Sequence, residues 1–160
     1  MNPQEKKLSI IAFSGDFDRL LAAFTLASGA AAVGWKVNMF FTFWGLNVMK
    51  KDPGRVPLGK GLLDRLFNFL MGGRSHLPLS RLNFFGLSPR LMTGLMKKRN
   101  VATLPELLQA ARDLKVSFYA CETAMVFLGL ERKDLAEDVV EVLGVAKFLD
   151  YSTGGEVLFL

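Results

Sequence analysis

Residues 8–42 decide the fold of this 160-residue chain, and they read LSIIAFSGDFDRLLAAFTLASGAAAVGWKVNMFFT. The first six of them form a short apolar run, which is typical of a buried strand. Residues 17–33 place apolar side chains at helical spacing, and Gly34 ends this predicted helix. Residues 36–42, rich in Phe, predict a second strand. Because strand, helix and strand follow one another within about 35 residues, we expect a right-handed crossover and a parallel sheet.

The rest of the chain repeats this alternation of strands and helices. Further strands are predicted at residues 116–120, 139–143 and 156–160. Further helices are predicted at residues 62–71, from a cap at Ser88, at 107–114 after the capping box of Thr103 and Glu106, at 122–128, from Asp134, and at 144–151. The alternation predicts an α/β fold with an open, doubly wound parallel sheet of about five strands.

Composition and length limit the classes of protein to which the chain can belong. Hydrophobic residues make up 51% of the chain and charged residues 22%, which excludes a disordered protein. We expect residues 1–160 to form a single domain with an insert at about residues 50–100. A single cysteine and no apolar signal region near the N-terminus predict a cytoplasmic protein. No membrane span is expected, because Lys36 divides the apolar stretch 20–49.

The insert carries its own charge pattern. Residues 50–100 contain eleven Lys and Arg but two acids, Asp52 and Asp64, whereas the remainder contains nine basic and thirteen acidic residues. Three interpretations stay open: a solvated surface, a docking patch for an acidic partner, or an amphipathic element at a membrane surface, since residues 62–71 mix apolar and charged side chains. We favour a partner or subunit surface. No nucleic-acid partner is expected, because no binding motif accompanies the charge.

The chemistry that this sequence can support centres on Cys121. In doubly wound sheets, ligands bind beyond the carboxyl ends of the strands. Three predicted loops meet there: Ser14-Gly15-Asp16, Phe43-Trp44-Gly45 and Cys121-Glu122-Thr123.

Cys121 stands at a predicted strand end with a helix starting on it. Backbone N–H groups of Glu122 and Thr123 at that helix start favour thiolate over thiol, so Cys121 is the predicted catalytic residue. An inert buried cysteine is the alternative.

The first two loops are expected to form the pocket around the sulfur. Ser14 or Asp16 is expected to cap the helix that follows, and the small residues Ser14, Gly15 and Asp16 to leave room beside Cys121. Trp44 and Gly45 are expected to wall the same pocket.

Several kinds of site are excluded or disfavoured by what the sequence lacks. A hydrolase needs a base beside the cysteine, and nothing in the sequence places the single histidine, His76, near Cys121. One Cys with one His falls short of a metal site, and a dithiol cycle lacks its second cysteine. The Ser14 loop has neither a P-loop nor a dinucleotide fingerprint, so we predict no cofactor, and a nucleotide- or flavin-binding protein is disfavoured. The remaining kind of site is a lone thiolate that accepts a sulfur atom and passes it on.

Five blocks of sequence resemble the DsrE/DsrF-like family, in the branch often labelled peroxiredoxin-like or DsrE-type sulfurtransferase. They are IAFSGDFDR at 11–19, ASGAAAVGWKV at 27–37, FFTFWGL at 40–46, YACETAM at 119–125 and GVAKF at 144–148. The resemblance covers nearly the whole chain, including the basic insert.

The resemblance implies a flavodoxin-like sheet, homo-oligomers that are commonly trimers or hexamers, and a cysteine that carries sulfane sulfur as a persulfide. Cys121 inherits that role. The predicted function is therefore a sulfur carrier or sulfurtransferase that takes sulfur from a donor protein and relays it to an acceptor. The alternative is a non-enzymatic oligomeric scaffold or membrane-surface adaptor, with Cys121 structural and the insert as its working face.

Overall fold

The computed structural model describes residues 6–81 and 87–160, apart from the side chains of Leu87 and Ser88. The strands within these ranges are β1 (Lys7–Ala12), β2 (Lys36–Phe41), β3 (Ser117–Cys121), β4 (Val139–Leu143) and β5 (Glu156–Phe159). The α-helices are α1 (Phe17–Ala32), α2 (Leu62–Met71), α3 (Leu87–Lys98), α4 (Leu104–Asp113), α5 (Glu122–Leu128) and α6 (Val145–Ser152). Short 3₁₀ helices cover Phe43–Met49, Arg74–His76 and Arg132–Asp134. The predicted capping role of the Ser88 side chain lies outside the described residues.

The five strands form one parallel sheet in the order β4-β3-β2-β1-β5. The chain steps outward from β1 to β4 and then returns to place β5 on the other side of β1. This reversal lies between β1 and β5, two strands away from β3. In flavodoxin itself β1 lies between β2 and β3, so the likeness is one of architecture rather than strand order. The predicted α/β class, with an open parallel sheet and helices on both faces, is confirmed.

Phenylalanine side chains build the core on both faces of the sheet. On one face, Phe24 of α1 packs against Phe41 and Phe118, with ring centroids 6.0 Å apart in each pair. On the other face, Phe148 of α6 stacks on Phe40 at 4.5 Å. All five rings are buried, and each contributes about 1.5–3 kcal/mol of hydrophobic free energy. Five of the chain's 14 phenylalanines therefore build this part of the core.

The prediction of a helix starting at Asp134 is wrong. The 3₁₀ helix Arg132–Asp134 instead ends there. The carboxylate of Asp134 accepts a hydrogen bond from the backbone N–H of Glu131 at 2.8 Å, which closes the turn from its far end. An aspartate side chain can accept a hydrogen bond from a backbone N–H three residues before it or from one just after it. The sequence alone does not distinguish these two arrangements.

Lys50 is a charged side chain buried at the start of the insert. Its exposed fraction is 2%, and its Nζ donates a hydrogen bond to the carbonyl oxygen of Gly72 at 3.0 Å. Burial lowers the pKa of Lys50 from 10.5 to about 8, while the nearby Asp134 carboxylate acts in the opposite direction. The bond ties the 3₁₀ segment after β2 to the end of α2.

Lys50 should make the stability of the protein depend on pH in the alkaline range. Because its pKa is about 8 in the folded state and 10.5 in the unfolded state, the unfolded chain binds more protons between these values. The free energy of unfolding therefore rises with pH across this window, and the gain is lost as pH falls through 8. Between pH 7.5 and 9.5 the free energy of unfolding of the natural chain should rise by about 2 kcal/mol more than that of Lys50→Met, as measured by urea unfolding. The exposed neighbour Lys51→Met is the control, and parallel profiles for Lys50→Met and the natural chain would contradict the assignment.

Candidate functional site

Cys121 is the last residue of β3, and α5 begins directly after it. In the sheet its partner on β4 is Leu143, and on the other side the register of Phe41 with Ala120 brings Thr42 alongside. Alternation along the strand puts the Cys121 side chain on the same face as Tyr119, the face that α6 covers. The residue is 2% exposed. The thiol therefore lies beneath the surface at the carboxyl edge of the sheet.

The first turn of α5 is the exposed side of this region. Cys121 occupies the N-cap position with extended backbone, and its side chain makes no capping hydrogen bond. Glu122 and Thr123 follow it and are exposed. A Cβ atom added at Gly144 would lie 4.0 Å from Glu122 Oε2, so the Glu122 carboxylate reaches over the end of β4. The helix start predicted at the cysteine is present in the structure.

The loop after β1 is held by its own polar side chains. The Ser14 hydroxyl donates to Asp16 Oδ2 at 2.8 Å, and the Asp16 N–H donates to Ser14 Oγ at 3.0 Å. The expectation that one of these residues caps α1 is wrong, because Asp16 makes no capping hydrogen bond. The first N–H of the helix, that of Phe17, donates to the Pro78 carbonyl at 2.7 Å. The insert thus supplies the partner that the cap was expected to provide.

The loops after β1 and β2 pack tightly against each other. A Cβ atom at Gly15 would lie 2.8 Å from the Trp44 carbonyl oxygen, and one at Gly45 would lie 2.1 Å from that of Ala12. The Gly45 N–H donates to the Phe13 carbonyl at 2.9 Å. Both glycines are thus explained by the close approach of backbones. Their part in a pocket beside Cys121 stays a prediction.

The sheet order sets how far these loops lie from the cysteine. Because β2 separates β1 from β3, the Ser14 loop follows a strand roughly 10 Å from Cys121, two strand spacings away. The segment that follows β2 is the neighbour of Cys121 in the sheet, and it begins with Thr42 and Phe43. Of the two predicted loops, the one that contains Trp44 and Gly45 is therefore nearer the thiol.

A row of aromatic rings crosses the carboxyl edge of the sheet, and the sequence interpretation missed it. Phe13 lies 5.7 Å from Phe159 and 5.4 Å from Phe43. Phe43 in turn lies 5.8 Å from Phe127 of α5. Trp44 extends the row to α2 through a contact of 5.7 Å with Phe67. The available signal was that an aromatic residue follows each of the first two strands within two positions, Phe13 after β1 and Phe43 after β2.

Phe43 holds an unusual backbone conformation within this row. Its φ of 44° lies in the left-handed region, which is uncommon for a bulky residue and costs about 1–3 kcal/mol. The conformation points the chain from β2 into the 3₁₀ helix and brings the Phe43 ring against Phe127, which is 63% exposed. The Phe43–Phe127 contact therefore links the segment beside Cys121 to the helix that starts on it.

Helix α2 is fixed to α5 by a single asparagine. Asn68 is the only buried residue of α2, and its Nδ2 donates to the carbonyl oxygens of Leu128 at 2.8 Å and Leu58 at 3.1 Å. Most of the apolar side chains of the helix are exposed instead. A cavity of about 280 Å³ separates the two helices, lined by Leu63, Asp64, Leu66, Phe67, Leu70, Phe127 and Leu128.

Replacing Asn68 by leucine should detach α2. The substitution leaves the buried carbonyl of Leu128 and the partly buried carbonyl of Leu58 without donors, and we expect a loss of about 2–4 kcal/mol in the free energy of unfolding. The control is Leu62→Ser on the same helix, where the side chain is 85% exposed and the expected change is within about 0.5 kcal/mol. Urea unfolding measures both, and equal small changes would show that Asn68 is not the anchor.

His76 belongs to the insert and is not among the residues that contact the Cys121 region above. It is exposed in the 3₁₀ helix Arg74–His76, where its Cβ packs on Gly72. Across residues 6–81 and 87–160 there is no group of three or more His, Cys, Asp or Glu side chains that could hold a metal ion. None of the helices in the described parts of the chain is long and apolar enough to cross a membrane.

Solved structures of low sequence identity share this fold. The protein MTH1491 of Methanobacterium thermoautotrophicum aligns with a TM-score of 0.54 at 16% identity, covering 97% of this chain and 99% of its own. The YchN protein of Escherichia coli aligns with a TM-score of 0.53 at 12% identity, with the same coverage of 97% and 99%. At these identities the likeness concerns the fold.

Sequence comparisons extend over the whole chain. The uncharacterized protein YrkE of Bacillus subtilis is 40% identical over 162 residues, covering 100% of both chains. The sulfur carrier protein DsrE2 of Allochromatium vinosum is 31% identical over 159 residues, covering 96% of this chain and 97% of its own. The profile of the DsrE/DsrF/DrsH-like family matches residues 4–160. This chain belongs to the DsrE/DsrF/DrsH-like family.

Proposed function

We propose that this chain is a cytoplasmic sulfur carrier in which Cys121 holds sulfane sulfur as a persulfide and relays it between partner proteins. One observation carries the proposal. The only cysteine of a chain that is 31% identical to a sulfur carrier protein stands at the carboxyl end of a central strand, directly before a helix. Ligands of open parallel sheets bind at that edge.

The proposed chemistry needs no oxidant or reductant. The Cys121 thiolate attacks the outer sulfur of a donor persulfide, a new sulfur–sulfur bond forms, and the donor's own sulfur–sulfur bond breaks as its thiolate leaves. The thiolate of an acceptor then attacks the outer sulfur on Cys121 in the same way, and the Cys121 thiolate leaves. One neutral sulfur atom moves in each step. The chain therefore needs one thiol only, which matches its single cysteine.

Access to the thiol is part of the proposal, because Cys121 is buried. We place the entrance beside the exposed first turn of α5, where Glu122 and Thr123 lie, and expect the Phe43–Phe127 contact to open for the donor. The N–H groups of that first turn would face an anionic sulfur. The other predicted site residues would affect access to the thiol indirectly, because they fix the loop from which Phe43 extends. These residues are Ser14, Gly15, Asp16, Trp44 and Gly45.

We extend the proposal to a homo-oligomer of three or six copies. Large apolar side chains are exposed on α6 and on the edge strand β5 that follows it, namely Val145, Leu149, Val157 and Phe159. Exposed apolar side chains in such number are typical of subunit interfaces. Light scattering should give a mass of three or six times 17.7 kDa, and a monomer at micromolar concentration would contradict this part.

Mass spectrometry tests the carrier function directly. After incubation with polysulfide or thiosulfate plus a donor sulfurtransferase, the intact chain should gain about 32 Da, the mass of one sulfur atom, and peptide mapping should place it on Cys121. Dithiothreitol should remove the added mass. If no donor adds sulfur at neutral pH, the proposal is wrong.

A second candidate function is a membrane-surface adaptor, and α2 favours it. Leu62, Leu63 and Leu66 are exposed on this helix while Arg65 lies among them, a pattern typical of helices that bind at anionic lipid surfaces. Flotation with vesicles of phosphatidylglycerol and phosphatidylcholine should then recover the protein. Charge reversal at Arg65, Arg74 and Arg81 should abolish flotation, whereas Cys121→Ser should not. Failure of the natural chain to float would reject this candidate.

A further inference from the structure

We propose that the cleft between α3 and α4 binds an amphipathic organic anion, a molecule with a carboxylate, phosphate or sulfonate group on an apolar body. The cleft has a volume of about 680 Å³. Its floor is apolar and consists of Phe17, Val48, Leu77, Leu104 and Leu108. A volume of this size is within the range of about 300–1,000 Å³ that is usual for small-molecule sites. The cleft lies apart from Cys121, which does not line it.

The orientation of α3 is the first observation that points to a charged ligand. Arg90, Gly94 and Lys97 line the cleft at the helical spacing of three to four residues, so they share one face of the helix. On the outer side, Leu91 is 65% exposed and Leu95 47%. A surface helix normally directs apolar residues inward and charges outward. α3 buries Met96, but along the cleft it places Arg90 and Lys97, and it leaves Leu91 and Leu95 in solvent.

The charge of the cleft is the second observation. Four basic side chains line it, and none of its described lining residues is an Asp or Glu. Arg112 is paired with Asp138, but Arg74 and Arg90 have no such partner among the ion pairs of the described residues. Lys97 interacts electrostatically with the carboxylate of Glu106. That carboxylate already accepts hydrogen bonds from the backbone N–H and the hydroxyl of Thr103, both at 2.7 Å. The lining is thus positive overall, and an anion there would gain charge-assisted hydrogen bonds.

Gly94 is the third observation, and it concerns space. It stands in the interior of α3, where glycine costs about 0.5–1 kcal/mol relative to alanine. A Cβ atom added to it would meet no other atom within 4 Å. Because Gly94 lines the cleft, a larger side chain there would occupy the space assigned to the ligand.

The ligand class follows from these three observations together. The basic side chains of α3 favour a negatively charged group, and arginine binds carboxylate and phosphate groups with paired hydrogen bonds. The apolar floor favours a hydrocarbon or aromatic body. A small polar anion would leave the floor in contact with water.

The test uses 8-anilinonaphthalene-1-sulfonate as the anionic probe and N-phenyl-1-naphthylamine as its uncharged counterpart, both followed by fluorescence at fixed ionic strength. The double variant Arg90→Gln, Lys97→Gln should weaken sulfonate binding at least 10-fold and leave the uncharged probe within about 2-fold. The matched control Lys98→Gln, Arg99→Gln lies at the last residue of α3 and the residue after it, outside the described cleft lining, and should change neither probe by more than about 2-fold.

A second pair of variants tests the space independently of charge. Gly94→Leu should abolish binding of both probes by filling the cleft, whereas Gly94→Ala should retain it, and circular dichroism should show intact helix in both. Equal losses in the two charge pairs would reduce the effect to general electrostatics and overturn the proposal. Probe binding that is unaffected by Gly94→Leu would also overturn it, because the probe would then occupy another surface, such as the cavity between α2 and α5.

Discussion

Gly45→Ala is expected to destabilise the protein by about 3 kcal/mol or more, the largest loss we predict for a single methyl group. The new Cβ atom would lie 2.1 Å from the carbonyl oxygen of Ala12, at the end of β1. Relief would require moving either the strand end or the loop that carries Phe43 and Trp44. Such a shift would also break the hydrogen bond from the Gly45 N–H to the Phe13 carbonyl.

Gly29→Ala is the matched control for this substitution. Gly29 lies in α1, where an added Cβ meets nothing within 4 Å, so alanine should raise the free energy of unfolding by about 0.5–1 kcal/mol. Chemical denaturation of the two variants should therefore give changes of opposite sign. If both variants changed stability by less than about 1 kcal/mol, the close contact between the loops after β1 and β2 would not exist in solution.

Cys121→Ser is expected to remove all sulfur-carrying activity. A serine hydroxyl cannot form the sulfur–sulfur bond on which the proposed relay depends. The readout is transfer of ³⁵S from a labelled donor persulfide to an acceptor thiol, which should fall to the rate without protein. The fold should persist, because the cost of placing a hydroxyl in this buried position is about 1–3 kcal/mol.

Cys121→Ala separates loss of chemistry from loss of stability. Alanine introduces no polar group, so it should fold at least as well as serine and show the same absence of transfer. The adaptor function would be favoured if the natural chain transferred no sulfur, both variants kept vesicle flotation, and charge reversal at Arg65, Arg74 and Arg81 abolished it. Activity lost in serine but kept in alanine would show that the serine effect is one of folding.

The βαβ beginning of the fold was predictable because its signals are local. Apolar runs at β1 and β2 and the helical spacing of α1 each fit within a window of six to sixteen residues. Strand order depends on which apolar faces meet across the chain, and no local window contains that information. The position of β5 beside β1, far from its chain neighbour β4, is such a case.

The candidate site likewise contains features that local sequence predicts and features that it does not. Placement of Cys121 between a strand and a helix could be read from residues 116–128, and the structure has it there. The contact of Phe43 with Phe127 joins residues more than eighty positions apart, so nothing near either residue announced it. The burial of Lys50 and the position of Arg90 and Lys97 along the cleft are equally non-local. Charge counts placed these residues in the basic insert but did not indicate which of them is buried or lines a cleft.

The attachment of α2 through Asn68 has a consequence for how the molecule unfolds. Packed phenylalanines cover the sheet, whereas α2 contributes only one buried side chain. Unfolding of α2 therefore exposes little new apolar surface. Its amide hydrogens should exchange with solvent through local openings of low free energy, long before those of β2. The segment could then rearrange on meeting a partner while the sheet, and the cysteine at its edge, kept their shape.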